Sequence, residues 1–191
     1  MILAATALPL ASVALLEGTA YAKKVTGTGT TTCPFGGTFT FTPPLTNTPV
    51  SKTTKEITKV TANFGSCTGG GPVPSGSTVS VKPIKTKTPK GSTSCGNFVI
   101  SASSVVVKVK ANWTGEKPSK FNVGNLAIAN PNNLGELGFT ATGFAVNGSY
   151  AGSGSLTVYL DPASSNAIAT CGNNTSVSSI TIDQTTSSAT L

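Results

Sequence analysis

Apolar residues occupy every second position from Val105 to Trp113: Val105, Val107, Val109, Ala111 and Trp113 share one face, while Lys108, Lys110 and Asn112 share the other. A period of two sustained over this length is a β-strand with one buried side, and it pins the register, because a slip of one residue would bury lysines. Similar shorter patterns recur along the chain with Gly, Pro, Asn and Ser between them. Phe39 and Phe41 alternate with Thr38, Thr40 and Thr42. Val60, Ala62 and Phe64 alternate with Lys59, Thr61 and Asn63. Residues 78–88 read as an edge strand because of Pro83, 97–101 as a short strand, and 120–129 as a strand bulged at Gly124. Residues 138–145, 146–151 and 155–160 read as a meander, and 177–182 as the closing strand. Residues 26–32 and 184–191 are polar ends expected to fray. No segment after the N-terminal apolar run carries a helical stripe. The expected fold is therefore all-β, an antiparallel β-sandwich of about nine or ten strands, immunoglobulin-like in build.

The first residues, MILAATALPLASVALLEGTAYAKK, form a short apolar run ending in the small-residue triplet Ala20-Tyr21-Ala22. The run is too short to span a bilayer and reads as a secretory signal peptide, residues 1–22, cut after Ala22. The lysines or arginines usual before such a run are absent. Residues 23–191 are then one exported β-sandwich domain with no membrane-spanning segment. All four cysteines, Cys33, Cys67, Cys95 and Cys171, fall in this part, so two disulfides are expected. Partners in an antiparallel pair have indices of constant sum. For strands 38–42 and 56–64, joined by a loop centred near Pro49 and Val50, that sum is about 100, and Cys33 meets Cys67 just beyond the open end of the pair. Cys95 then pairs with Cys171 by elimination.

The residues argue against catalysis. The chain has no histidine, so Ser-His-Asp and Cys-His pairs are impossible. No serine stands three positions before a lysine, which removes the S-x-x-K signature. The few acids are widely separated, too sparse for a glycosidase pair or a calcium loop; Asp161-Pro162 reads as a turn. No metal site and no cofactor are expected.

Charge is segregated. Residues 23–120 hold thirteen lysines against Glu56 and Glu116, a balance of +11, whereas Glu136, Asp161 and Asp183 give the remainder −3. Without arginine, sequence-specific nucleic-acid recognition is not expected. Lys82, Lys85, Lys87, Lys108 and Lys110 are the candidate contacts to a polyanion, in a salt-sensitive mode. Trp113 is assigned to the core, while Tyr150 and Tyr159 are candidate exposed rings for stacking on sugars. The Thr-x-Thr triplets lack the repeat of a hydroxyl lattice and read as the wet side of a strand.

The chain resembles a group of small secreted actinobacterial proteins described only as uncharacterised. The shared elements are Cys33 ahead of Gly37-Thr-Phe-Thr-Phe-Thr-Pro-Pro-Leu45, then Cys67, Trp113 at a strand end, Gly148-Ser-Tyr-Ala-Gly152, and Cys171 before a final strand. The resemblance implies export, two disulfides and an immunoglobulin-like sandwich, and it carries no activity. The expected function is a monomeric, secreted, non-enzymatic module that binds or adheres in the extracellular space or cell envelope. A protease or hydrolase inhibitor presenting the loop 69–76 (GGGPVPSG) stands second, and a Ser-Lys hydrolase third.

Overall fold

The computed structural model describes residues 29–69, 77–102, 105–129, 135–171 and 175–191, with no side-chain description for 99–102. The expected signal peptide and nearly all of the loop 69–76 lie outside the described residues. The strands are β1 (Thr31–Leu45), β2 (Thr54–Phe64), β3 (Thr68–Gly69), β4 (Ser77–Val81), β5 (Ile84–Thr88), β6 (Val107–Trp113), β7 (Ser119–Val123), β8 (Ala127–Ala129), β9 (Gly138–Asn147), β10 (Gly152–Tyr159), β11 (Val177–Ile182) and β12 (Ser188–Thr190); two helices are α1 (Ser94–Ala102) and α2 (Pro162–Thr170).

The expected sandwich is overturned. The chain closes into an eight-stranded antiparallel barrel. The closing element is β1, fifteen residues long. One edge of β1 pairs with β2, from Phe35 opposite Phe64 to Thr42 opposite Ile57. The other edge pairs with β12 at Cys33 and Ala189, then with β11 at Phe39 and Ile180. Around the ring the strands β1, β2, β4, β6, β7, β9 and β10 follow in chain order, and β10 returns to β12. A sheet whose first strand bonds to both its second and its last has no free edge there. Alternation cannot distinguish this from a sandwich, because both structures bury every second side chain.

The C-terminal residues supply the closure. The segment 184–191 has the composition of a fraying end, yet Ala189 and Leu191 are buried and β12 is bonded on both sides. At the other terminus Thr31 is buried within β1 and exchanges both backbone bonds with Leu191. Two helices replace the expected absence of helix. Residues 97–101 belong to α1, where Thr93 Oγ1 accepts the Gly96 amide at 3.2 Å. Asp161-Pro162 is a helix start rather than an isolated turn: Asp161 Oδ1 accepts the Ser164 amide at 2.6 Å and Pro162 occupies the first turn of α2. Pro83 splits 78–88 into β4, which lies in the ring, and β5, which pairs with residues 54–58 of β2. Asn125, with a positive φ of 52°, separates β7 from β8.

On β6 the reading of faces stands from Val107 to Trp113, whereas Val105, expected on the same strand, lies before it and is half-buried. Ala111 and Trp113 are buried, Val107 and Val109 are half-buried, and Lys108 and Lys110 are exposed. Both disulfides form as expected, Cys33–Cys67 and Cys95–Cys171. The register behind the first is close to the expected one, with Phe35 opposite Phe64.

One end of the barrel is packed solid with rings. Phe64 stacks on Trp113 with centroids 5.5 Å apart, the Tyr150 and Trp113 rings meet nearly perpendicular at 5.5 Å, and Phe35 leans on Phe64. Trp113 Nε1 donates to Ser119 Oγ at 2.7 Å, and that hydroxyl donates onward to the Ser149 carbonyl. The expectation of Tyr150 as an exposed sugar platform is wrong. Its ring is 1% exposed, its backbone sits at φ 57°, and its hydroxyl donates to Glu116 Oε1 at 3.2 Å. Tyr159 is half-buried, lying across Gly138, where an added Cβ would meet its ring.

Burial, then the neighbouring Glu116 carboxylate, pushes the Tyr150 hydroxyl up to about 12. The unfolded chain releases this proton near 10.0, the ordinary value, so between those two values the unfolded state binds fewer protons than the folded one. Stability is therefore expected to fall as pH rises through that window, and Tyr150→Phe to remove this slope. Phenolate absorbance checks it: one late-titrating tyrosine in the parent protein, absent from Tyr150→Phe.

Candidate functional site

Above the ring-packed end the barrel interior is hollow. The inward positions change from aromatic rings to valines: Val60 of β2, Val81 of β4, Val107 and Val109 of β6, Val123 of β7 and Val158 of β10 line a chamber of about 120 Å³. Eight-stranded barrels are just wide enough to be filled by side chains or to keep one small ligand. Here small β-branched residues stand where rings would fill the space, which is why Val107 and Val109 keep partial exposure. Phe39, Phe139 and Leu156 also belong to the apolar wall.

Three polar side chains interrupt this wall: Glu56 and Thr58 of β2 and Thr86 of β5. Glu56 is 5% exposed, lying between the exposed Lys55 and Ile57. Its Oε1 accepts the Thr88 hydroxyl at 2.5 Å and its Oε2 the Thr86 hydroxyl at 3.5 Å. Sequence reasoning passed over Glu56, but the signal was present. It shares the parity of Val60, Ala62 and Phe64, so the alternation that buries those residues buries the carboxylate too.

The helix α1 reaches this half of the chamber through Phe98, which lines it. The Phe98 ring lies edge-on to Phe41 at 5.1 Å and to Phe139 at 6.5 Å. Ser94 fixes the start of α1 to the end of β1, its hydroxyl accepting the Thr46 amide at 2.7 Å and donating to the Thr46 carbonyl at 3.2 Å. Cys95–Cys171 then ties α1 to the residue that caps α2. The two disulfides thus serve opposite ends of the molecule: Cys33–Cys67 lies with the packed rings, Cys171 with the cluster around Phe41, Phe139 and Leu160.

The five lysines singled out in the sequence do not form one site. Lys82, Lys108 and Lys110 line a groove of about 720 Å³ on the outer wall of β4, β6 and β7, together with Lys120, Asn122 and Asn147. Lys110 lies directly opposite Lys120, and Lys108 opposite Asn122. Lys85 and Lys87 stand elsewhere, on β5, where Lys87 faces Lys55 across the pair with β2. Directly opposed like charges are unfavourable in a sheet; the Lys110–Lys120 pair is such a row. Glu56, Glu116 and Glu136 are all buried, so the glutamates leave the outer wall to the lysines.

The other acids serve turns. Asp183 accepts the Thr185 hydroxyl and amide, each at 2.7 Å, and these bonds hold its carboxyl below the usual range. Glu136 Oε2 accepts the Thr186 hydroxyl at 2.9 Å from the same turn, which joins β11 to β12. Every described lysine is exposed, so the third reading, a serine activated by a buried lysine, has no such lysine among the described residues. Among those residues there is no group of three or more metal-ligating side chains, and no helix is long and apolar enough to cross a membrane.

Comparison with known proteins gives no match to a family model, to a curated protein or to a solved structure. What the fold and site define is a closed, disulfide-linked antiparallel barrel with an apolar inner chamber and a lysine-lined outer wall. Two disulfides fit an oxidising compartment.

Proposed function

We propose that this is an extracellular binding protein that holds one small apolar molecule inside its barrel. The observation that carries this reading is the valine-walled chamber of about 120 Å³, which Phe98 of the disulfide-tethered helix α1 also lines. An apolar cavity of comparable size accepts a single aromatic ring, so a benzene-sized group or a short alkyl chain is the fitting occupant. The test is calorimetric titration with toluene. Saturable one-to-one binding is expected in the parent protein. Val109→Phe fills the chamber and should abolish that binding while leaving the melting temperature equal or higher. Absence of saturable binding to the parent protein sinks the reading.

A second reading rests on a separate surface. The groove of Lys82, Lys108, Lys110 and Lys120 favours contact with polyanionic envelope material, whose phosphates or carboxylates relieve the repulsion between facing lysines. Binding of the protein to purified anionic polysaccharide is expected to weaken steeply with added salt, and Lys110→Glu with Lys120→Glu to reduce it further. Adhesion that is indifferent to salt rules this contact out.

A further inference from the structure

The chamber contains one feature that an apolar ligand alone does not explain. Glu56 is nine-tenths buried and lines the cavity, yet two threonine hydroxyls are its hydrogen-bond partners. The Thr88 bond, at 2.5 Å, is short and strong. The Thr86 contact, at 3.5 Å, is at the outer limit of a hydrogen bond. A carboxylate offers about four acceptor sites, and a buried charge without a cation or a full set of donors is costly. The described lysines do not supply the cation, since all of them are exposed. Oε2 is the less engaged oxygen, and the neighbouring wall beyond Thr58 and Thr86 is apolar.

We infer that the ligand of this chamber carries a single hydrogen-bond-donating head, an amine or an alcohol, which Glu56 receives while the apolar body fills the valine-walled space. The inference rests on the reading of the chamber as a binding site and adds its chemical selectivity. A donor head completes the coordination of Glu56 Oε2. An anionic head of the fatty-acid kind meets a like charge between apolar walls and is rejected. Thr86 and Thr88 act as positioning residues. Both lie on β5, the strand that lies alongside β2 there and, among the described residues, pairs with no other. The short outer strand thereby fixes the carboxylate in place.

A size-matched series tests this by calorimetry: toluene, benzyl alcohol, benzylamine and benzoate, each against the parent protein and Glu56→Gln. In the parent protein benzyl alcohol and benzylamine are expected to bind, and benzoate to bind at least about tenfold more weakly than either, as loss of a hydrogen bond to a charged group implies. In Glu56→Gln the gap between benzylamine and benzoate should shrink by about tenfold or more, each affinity being read relative to toluene in the same variant. Benzoate binding as tightly as the donors, or a gap that survives in Glu56→Gln, overturns the inference. If toluene binds and the polar ligands are not discriminated, this inference alone fails; if toluene itself does not bind, the chamber reading fails with it. Should Glu56→Gln not fold, the ranking in the parent protein decides.

Discussion

Replacing Trp113 by alanine is expected to lower the unfolding free energy by about 3–5 kcal/mol, the range for removing a large buried ring. The indole is 5% exposed and holds the closed end of the barrel together from three sides. It stacks on Phe64 of β2, it packs nearly perpendicular to the ring of Tyr150 from the turn after β9, and it donates to Ser119 of β7. Each ring pair adds about 0.5–1.5 kcal/mol beyond simple burial. Loss of the indole also leaves a void between strands that lie on different sides of the ring. Local collapse fills it only in part, because Cys33–Cys67 ties β1 to the residues that follow β2. Trp113→Phe separates the contributions: it retains most of the stacking and removes the bond to Ser119, and should cost about 1–2 kcal/mol. Urea unfolding of the two variants measures both. A loss below about 1 kcal/mol for Trp113→Ala would mean that the ring-packed end is not the stabilising core of the barrel.

The strand faces were legible in the sequence because alternation is a local property. Val107 to Trp113 read correctly from parity alone, and the same arithmetic placed Cys33 beside Cys67. Closure was not legible, because it depends on a pairing between residues about 150 positions apart. The closing segment Ser188–Thr190 has the composition of a frayed tail, and its burial comes from β1 and β10 on either side rather than from its own side chains. The helices escaped notice for another reason. Each is only nine residues long, too short to display a stripe, and among the described side chains of α2 only Ser164 is buried. Their caps, Thr93 and Asp161-Pro162, carried the signal instead. As for the site, parity told which residues face inward but not whether they fill the interior. Seven valines line a chamber only because the barrel radius is set by eight strands, a number that the sequence did not disclose. Glu56 was the readable clue, a carboxylate in step with phenylalanine and valine.

Substituting both Cys95 and Cys171 by serine is expected to lower stability by about 4 kcal/mol on the chain-entropy account of a long closed loop. The bridge spans 76 positions, against 34 for Cys33–Cys67, so it restrains the larger share of the unfolded chain. Against the usual total of about 5–15 kcal/mol, the variant stays folded only if the rest of the barrel is well packed. The location of the bridge adds a second effect that chain entropy does not describe. Cys95 is in the first turn of α1, three residues before Phe98, and Cys171 is buried where α2 ends. Without the bridge α1 is held by the Ser94 bonds to Thr46, the Cys95 amide to the same carbonyl, and one bond from Asn97 to the Lys87 carbonyl. Phe98 then leaves its place between Phe41 and Phe139 more often, and an occupant of the chamber escapes faster. The expected result is a toluene dissociation rate raised about tenfold or more in Cys95→Ser with Cys171→Ser, corresponding to about 1.4 kcal/mol removed from the opening step. The Cys33→Ser and Cys67→Ser pair, which loosens the opposite end, should lose stability without a comparable change in that rate. Line-shape analysis of bound toluene by nuclear magnetic resonance measures both variants at a temperature where each remains folded. Equal rates in the two would show that the ligand does not leave past α1.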